Sequence, residues 1–225
     1  DGDYEGIPEP LAEVIRKGSQ YRKDQRYETV AAIERVAENE TSRLAVMQDA
    51  PHVARADRGP RGVFMGYDFH LGASGPRLIE INTNAGGALI NAYVREAHRS
   101  CCAEMGGLFE TGRSIADMEA MFAAMFAMEF QRQETVTPAP RAIAIVDHDP
   151  KSQYLYPEFV LFQRLFERHG IECVIAAPEE LTFDTNGLQY HGRRIDLVYN
   201  RSTDFMLAEP ASQALRAGYS SGQVV

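Results

Sequence analysis

From Pro8 to about Ala56, apolar residues recur at three- and four-residue spacings: Leu11, Val14 and Ile15, then Val30, Ile33, Val36, Ala37, Leu44 and Met47, with charged residues between them. This period predicts solvated helices that each bury one stripe. Between Gly62 and Thr83 the period falls to two. Val63, Met65, Tyr67 and Phe69 alternate with Phe64, Gly66, Asp68 and His70, and beyond a turn at Gly72–Pro76, Leu78, Glu80 and Asn82 alternate with Ile79 and Ile81. A β-hairpin is expected. The stretch Asn84–Gly87 then opens a helix to about Met105, and Ser114 begins another through Gln133, with Asp117 in its first turn. Its Met118, Met121, Phe122, Met125, Phe126 and Met128 read as core filler.

Prolines at 138 and 140 break the helical pattern and set the expected domain boundary. Residues 1–135 form a helical segment plus hairpin, and residues 140–225 a second domain. In the latter come strand Arg141–Asp147, helix Gln153–His169 stopped by Gly170, strand Ile171–Ala176, a hairpin at Asp184–Gly187, strand Ile195–Arg201 and helix Pro210–Gly218. Near-continuous apolar strands in β-α-β order imply a parallel sheet covered on both faces. The fold class is therefore α/β: a helical N-terminal segment with an antiparallel hairpin, then a Rossmann-like parallel domain.

Composition narrows the function classes. Acidic residues exceed basic ones by 32 to 23, a net charge of −9, where a nucleic-acid-coating protein normally carries a basic stripe. Three cysteines, Cys101, Cys102 and Cys173, form neither a disulfide framework nor a CxxC motif. No run of about 20 apolar residues suits a membrane span. The expectation is a cytoplasmic protein with no nucleic-acid or membrane partner and a composition compatible with a small-molecule or short-peptide substrate and with a homodimer. The chain opens at Asp1 without Met and closes on Gln223–Val225 as a new strand begins, so a fragment is expected.

Candidate chemistry concentrates in the hairpin. An even-to-even register would put Gly66, Asp68 and His70 on one face with Glu80 and Asn82, opposite the apolar Val63, Met65, Tyr67, Phe69, Ile79 and Ile81. Glu80 and Asn82 would then present two hard oxygen donors about 7 Å apart. Mg²⁺ commonly takes one or two protein oxygens and leaves the rest to phosphate and water. On the alternation alone, a solvated polar surface is the commoner reading. Asn84, Gly86 and Gly87, ahead of a helix, either turn backbone N–H groups toward an anion or simply form a corner. Arg201, at the carboxyl end of a buried strand, is either a carboxylate partner or an ordinary surface residue. GxxxxGK[ST], GxGxxG and GxSxG are all absent, and His148 and His191 have no metal-like spacing.

Tyr67-Asp-Phe followed by Gly75-Pro-Arg-Leu-Ile-Glu80-Ile-Asn82-Thr-Asn-Ala-Gly-Gly87 resembles the "IEINT … GG" segment of eukaryotic-type glutathione synthetase and its circularly permuted ATP-grasp relatives. The apolar strand at Ala142–Val146, Ile171–Val174, the hairpin at Gly187 and Ile195–Arg201 resemble that family's substrate-binding domain in the same order. The resemblance spans roughly Gly62 to Gly218. It implies an ATP- and Mg²⁺-dependent carboxylate–amine ligase working through an acyl phosphate, with Glu80 and Asn82 holding Mg²⁺ on the ATP phosphates. It further implies substrate contacts from Arg201, Asp68, Asn84, Gly86, Gly87 and Gln153. Gly66 stands where the family has an arginine, the serine-rich loop is shortened, and Asn-x-x-x-Gln is not cleanly reproduced near Ser152 and Gln153, so a related but different substrate pair is expected. The family's lysine-bearing nucleotide half would follow the last residue; Lys17, Lys23 and Lys151 are the only lysines. This chain alone is expected to be inactive. The alternative is a catalytically inactive module that binds a small carboxylate or peptide.

Overall fold

The computed structural model describes residues 39–55, 57–73, 75–101, 113–134 and 137–225. Among them are six helices: α1 (Glu40–Asp49), α2 (His52–Arg55), α3 (Ala88–Cys101), α4 (Ile115–Gln131), α5 (Tyr156–Arg168) and α6 (Gln213–Ser221). The strands are β1 (Gly66–Gly72), β2 (Gly75–Asn82), β3 (Ala142–Val146), β4 (Glu172–Ala176), β5 (Leu181–Asp184), β6 (Gly187–Tyr190), β7 (Arg193–Arg194) and β8 (Leu197–Asn200). They make three small sheets, one of them parallel, in a mixed α/β fold. The chain divides into two compact units. Their described residues fall within 39–55 and 65–84 for the first, and within 57–64 and 85–225 for the second.

In the first unit, the helical period seen to Ala56 is interrupted. Helix α1 ends at Asp49, and Pro51, which has no N–H to donate, precedes the short α2. Leu44 and Met47, expected on a buried stripe, are exposed; Leu11, Val14, Ile15, Val30, Ile33, Val36 and Ala37 lie outside the described residues. β1 and β2 form the expected antiparallel hairpin, but with a bulge. Gly66 pairs with Asn82 and Asp68 with Glu80; past Asp68 the register slips, so that Phe69 pairs with Leu78 and His70 with Arg77. Ile79 is the extra residue, and an insertion of one reverses which side chains share a face beyond it. The even-to-even pairing therefore holds for Gly66, Asp68, Glu80 and Asn82 and ends there: His70 stays on the Asp68 face of the unbulged β1, but its partner across the ladder is Arg77. The apolar face also departs from expectation: Met65, Tyr67, Phe69, Ile79 and Ile81 are 36–49% exposed, while Leu78 is buried. A two-stranded sheet has too little area to bury both faces.

The second unit is built on β3, all five of whose residues are buried. β4 and β8 flank it in parallel, giving the order β4-β3-β8. Val225 adds to the outer side of β8, its N–H donating to Asp196 O at 3.1 Å and its carbonyl accepting from Val198 N–H at 2.7 Å. That bracketing is a parallel bridge. β5, β6 and β7 form a separate antiparallel sheet, with the expected hairpin at Asp184–Gly187.

Helix α4 starts where the sequence indicated. Ser114 Oγ accepts the Asp117 N–H at 3.1 Å, and Asp117 Oδ2 accepts the Ser114 N–H at 3.3 Å, a reciprocal capping box. Phe122, Phe126 and Phe130 recur every four residues and face one way into the core, whereas Met128 is exposed. They meet Phe159, Phe162 and Phe166 of α5 and Tyr199 of β8. Phe126 lies edge-on to Phe166 at 4.9 Å and to Tyr199 at 5.0 Å, spacings that favour the ring quadrupoles. Gly170, at φ +77°, ends α5 in the left-handed region that glycine adopts without strain. Cys173 is buried in this core, and burial pushes its thiol pKa up, which suits an inert structural thiol. Cys102 lies outside the described residues.

Candidate functional site

The first unit contributes the oxygen-rich face of the hairpin. Asp68 and Glu80 are direct cross-strand partners, and both are exposed. Like charges in that position repel one another. Asn82 follows two residues after Glu80 on the same face, and its Oδ1 accepts the Asn84 N–H at 3.1 Å. That bond orients the amide and leaves its oxygen a second lone pair. Two carboxylates and an amide oxygen are hard donors of the kind Mg²⁺ selects. The residues therefore fit the ion. Glu80 and Asn82 would hold it, and Asp68 adds negative charge beside them. Among the described residues there is no cluster of three or more His, Cys, Asp or Glu suited to a metal, so phosphate or water oxygens would have to complete the coordination.

In the second unit a separate set of candidates stands at the carboxyl ends of β3 and β8. From β3 the chain crosses through α5 to β4 on one side, while β8 lies on the other. The loops after β3 and β8 thus part in opposite directions, the position at which open α/β sheets bind ligands. Asp147 follows β3 and Arg201 follows β8. The Arg201 N–H donates to Val146 O at 2.8 Å, which extends the sheet by one rung and fixes the root of its side chain. Its guanidinium donates to Ala85 O at 3.2 Å and lies over the Tyr199 ring, 5.3 Å from the centroid. Burial raises the Tyr199 hydroxyl to about 12, against the opposing pull of Arg201.

Asp147 is buried, and its Oδ1 accepts the His148 N–H at 2.8 Å. Burial raises its pKa, while the His148 N–H and the Arg201 charge oppose the rise. The native state therefore holds this proton to higher pH than the unfolded chain does. The stability it contributes is full below the ordinary aspartate range and is lost as pH rises through the native value. Asp147→Asn should accordingly make the protein more stable than the parent at pH 7 and leave it unchanged at pH 3, read from urea midpoints at both. A destabilised Asn variant at pH 7 would contradict this account of Asp147.

The Asn84–Gly87 stretch is a corner whose anion is internal. Glu158, almost wholly buried, accepts the Gly87 N–H at 2.6 Å and the Leu89 N–H at 2.9 Å. Of the two readings of this helix start, anion site or corner, the corner is favoured, because a carboxylate of the chain itself occupies the positive end of α3. A Cβ at Gly86 would stand 2.4 Å from Leu155 Cδ1 and 2.8 Å from Arg201 Nη2, so any larger residue there would have to displace the ends of both side chains. Gln153 turns inward, its Nε2 donating to His148 O at 2.5 Å and closing the loop after β3.

The two sets of candidates thus fall in different units: Asp68, Glu80, Asn82 and Asn84 in one, Gly86, Gly87, Gln153 and Arg201 in the other. Asp147 was not among the residues singled out from the sequence, although its place as the first charged residue after a buried apolar run is a signal that could have marked it. Glu158 carried no such signal, because an acid in the first turn of a helix is ordinary. No family model matches the chain, and a search of curated proteins finds no match. Among the described residues no helix is long and apolar enough to cross a membrane.

Proposed function

We propose that this chain supplies the magnesium–phosphate ligands and the acid-binding arginine of an ATP-dependent carboxylate–amine ligase, its second unit being a Rossmann-like substrate domain. In such a reaction the substrate carboxylate takes the γ-phosphoryl group of ATP to give an acyl phosphate and ADP. An amine then attacks the acyl carbon, and inorganic phosphate leaves. Bound Mg²⁺ would neutralise phosphate charge. The side chains serve by position and charge: Glu80 and Asn82 as oxygen donors, Arg201 as the guanidinium that orients a substrate carboxylate. The observation that carries the reading is the hairpin register, which puts the Asp68 and Glu80 carboxylates opposite one another with Asn82 on the same exposed face.

The test is ATP-dependent phosphate release by the whole protein. Glu80→Ala is expected to reduce it about 100-fold or more, with excess Mg²⁺ restoring only part, while Arg201→Met should act on the KM for the acid. Release that is indifferent to Glu80→Ala would overturn the ligase reading. Acid binding that survives without any ATP turnover would favour the inactive module.

A further inference from the structure

Two N–H groups at the start of a helix are ordinarily capped by a serine, threonine or asparagine side chain. Here the same task falls to a carboxylate that is only 1% exposed and comes from another helix, 71 residues on from Gly87. Burying a carboxylate is costly unless opposite charge surrounds it. The positive end of α3 supplies part of that charge. Arg201 borders the same turn: a Cβ at Gly86 would lie 3.5 Å from Glu158 Oε2 and 2.8 Å from Arg201 Nη2.

We infer that Glu158 is a positioning residue for Arg201, clamping the Ala85–Gly87 turn whose carbonyl holds the guanidinium at the carboxyl end of β8. The inference rests on the reading of Arg201 as the partner of a substrate carboxylate. The connection is continuous. Glu158 Oε2 holds the Gly87 N–H, Gly87 stands at φ +90°, and Ala85 O accepts from Arg201 Nη1 at 3.2 Å. Tyr199, whose ring lies under the guanidinium, also senses the Glu158 charge, which raises its pKa. Glu158 does not reach the substrate in this scheme. It fixes the turn, and the turn fixes the arginine. A cap that merely held α3 in place would influence stability and leave Arg201 alone.

The test uses the full chain labelled with ¹⁵N and follows the Arg201 Nε–H resonance, assigned by its loss in Arg201→Lys. Glu158→Gln keeps the shape and removes the charge, and Gly86→Ala pushes a methyl group toward Nη2. Phe166→Leu, a buried change two turns further along the helix that carries Glu158, controls for stability alone. Both Glu158→Gln and Gly86→Ala should shift the Arg201 resonance and weaken binding of N-acetylglycine about tenfold. Phe166→Leu should lower the melting temperature and leave the resonance in place. An unmoved resonance in Glu158→Gln, or an equal shift in Phe166→Leu, would overturn the inference. The two readings fail separately: N-acetylglycine binding indifferent to Arg201→Lys sinks the carboxylate role of Arg201, whereas the resonance alone decides whether Glu158 positions it.

Discussion

Glu158→Ala is expected to lower the free energy of unfolding by about 3–5 kcal/mol, the usual cost of removing one partner from a buried charged arrangement. The truncation strands the Gly87 and Leu89 N–H groups, leaves the positive end of α3 without its counter-charge, and takes a carboxylate away from beside Arg201. Leu89 is itself fully buried, so water cannot readily replace the lost acceptor there. Domains are stable by only about 5–15 kcal/mol, so the variant would surrender roughly a fifth or more of the total. Urea unfolding at neutral pH reads it, provided the slope of the transition stays that of the parent. A loss below about 1 kcal/mol would mean that the buried carboxylate is replaceable by solvent, contrary to its burial.

Phe162→Ala should cost a comparable amount, about 3–5 kcal/mol. Its ring is the hub of the aromatic core, lying 5.5 Å from Tyr199, 5.7 Å from Phe64 and 5.9 Å from both Phe126 and Phe166. Those partners come from the segment before β1, from α4, from α5 and from β8, so no single element can move in to fill the space. The resulting cavity would persist and add its own penalty to the lost burial. Phe162→Leu, which fills most of that volume, should cost clearly less, and thermal unfolding of the pair measures the difference. Equal melting temperatures for the two variants would refute a rigid aromatic hub.

Both effects arise from side chains whose partners are distant in sequence, and that separates what could be read from the chain from what could not. The capping box at Ser114, the stop at Gly170, the hairpin at Asp184–Gly187 and the buried strand at Ala142–Val146 were all legible, because each depends on neighbours within a few residues. The hairpin at Gly66–Asn82 was legible as a hairpin. Its register was not, because a single bulged residue leaves the alternating pattern intact while exchanging the faces beyond it.

The candidate site divides in the same way. Glu80, Asn82 and Asp68 could be placed on one face from a period of two, and Arg201 at a strand end from the apolar run before it. The internal anion at Gly87 and Leu89 could not, since Glu158 is 71 and 69 residues away and looks locally like any first-turn acid. Local backbone preference and hydrophobic period therefore set the elements and the faces they offer. Tertiary packing alone determined which buried charges meet, because the cost of an unpaired carboxylate is settled by groups that come close only when the chain has folded.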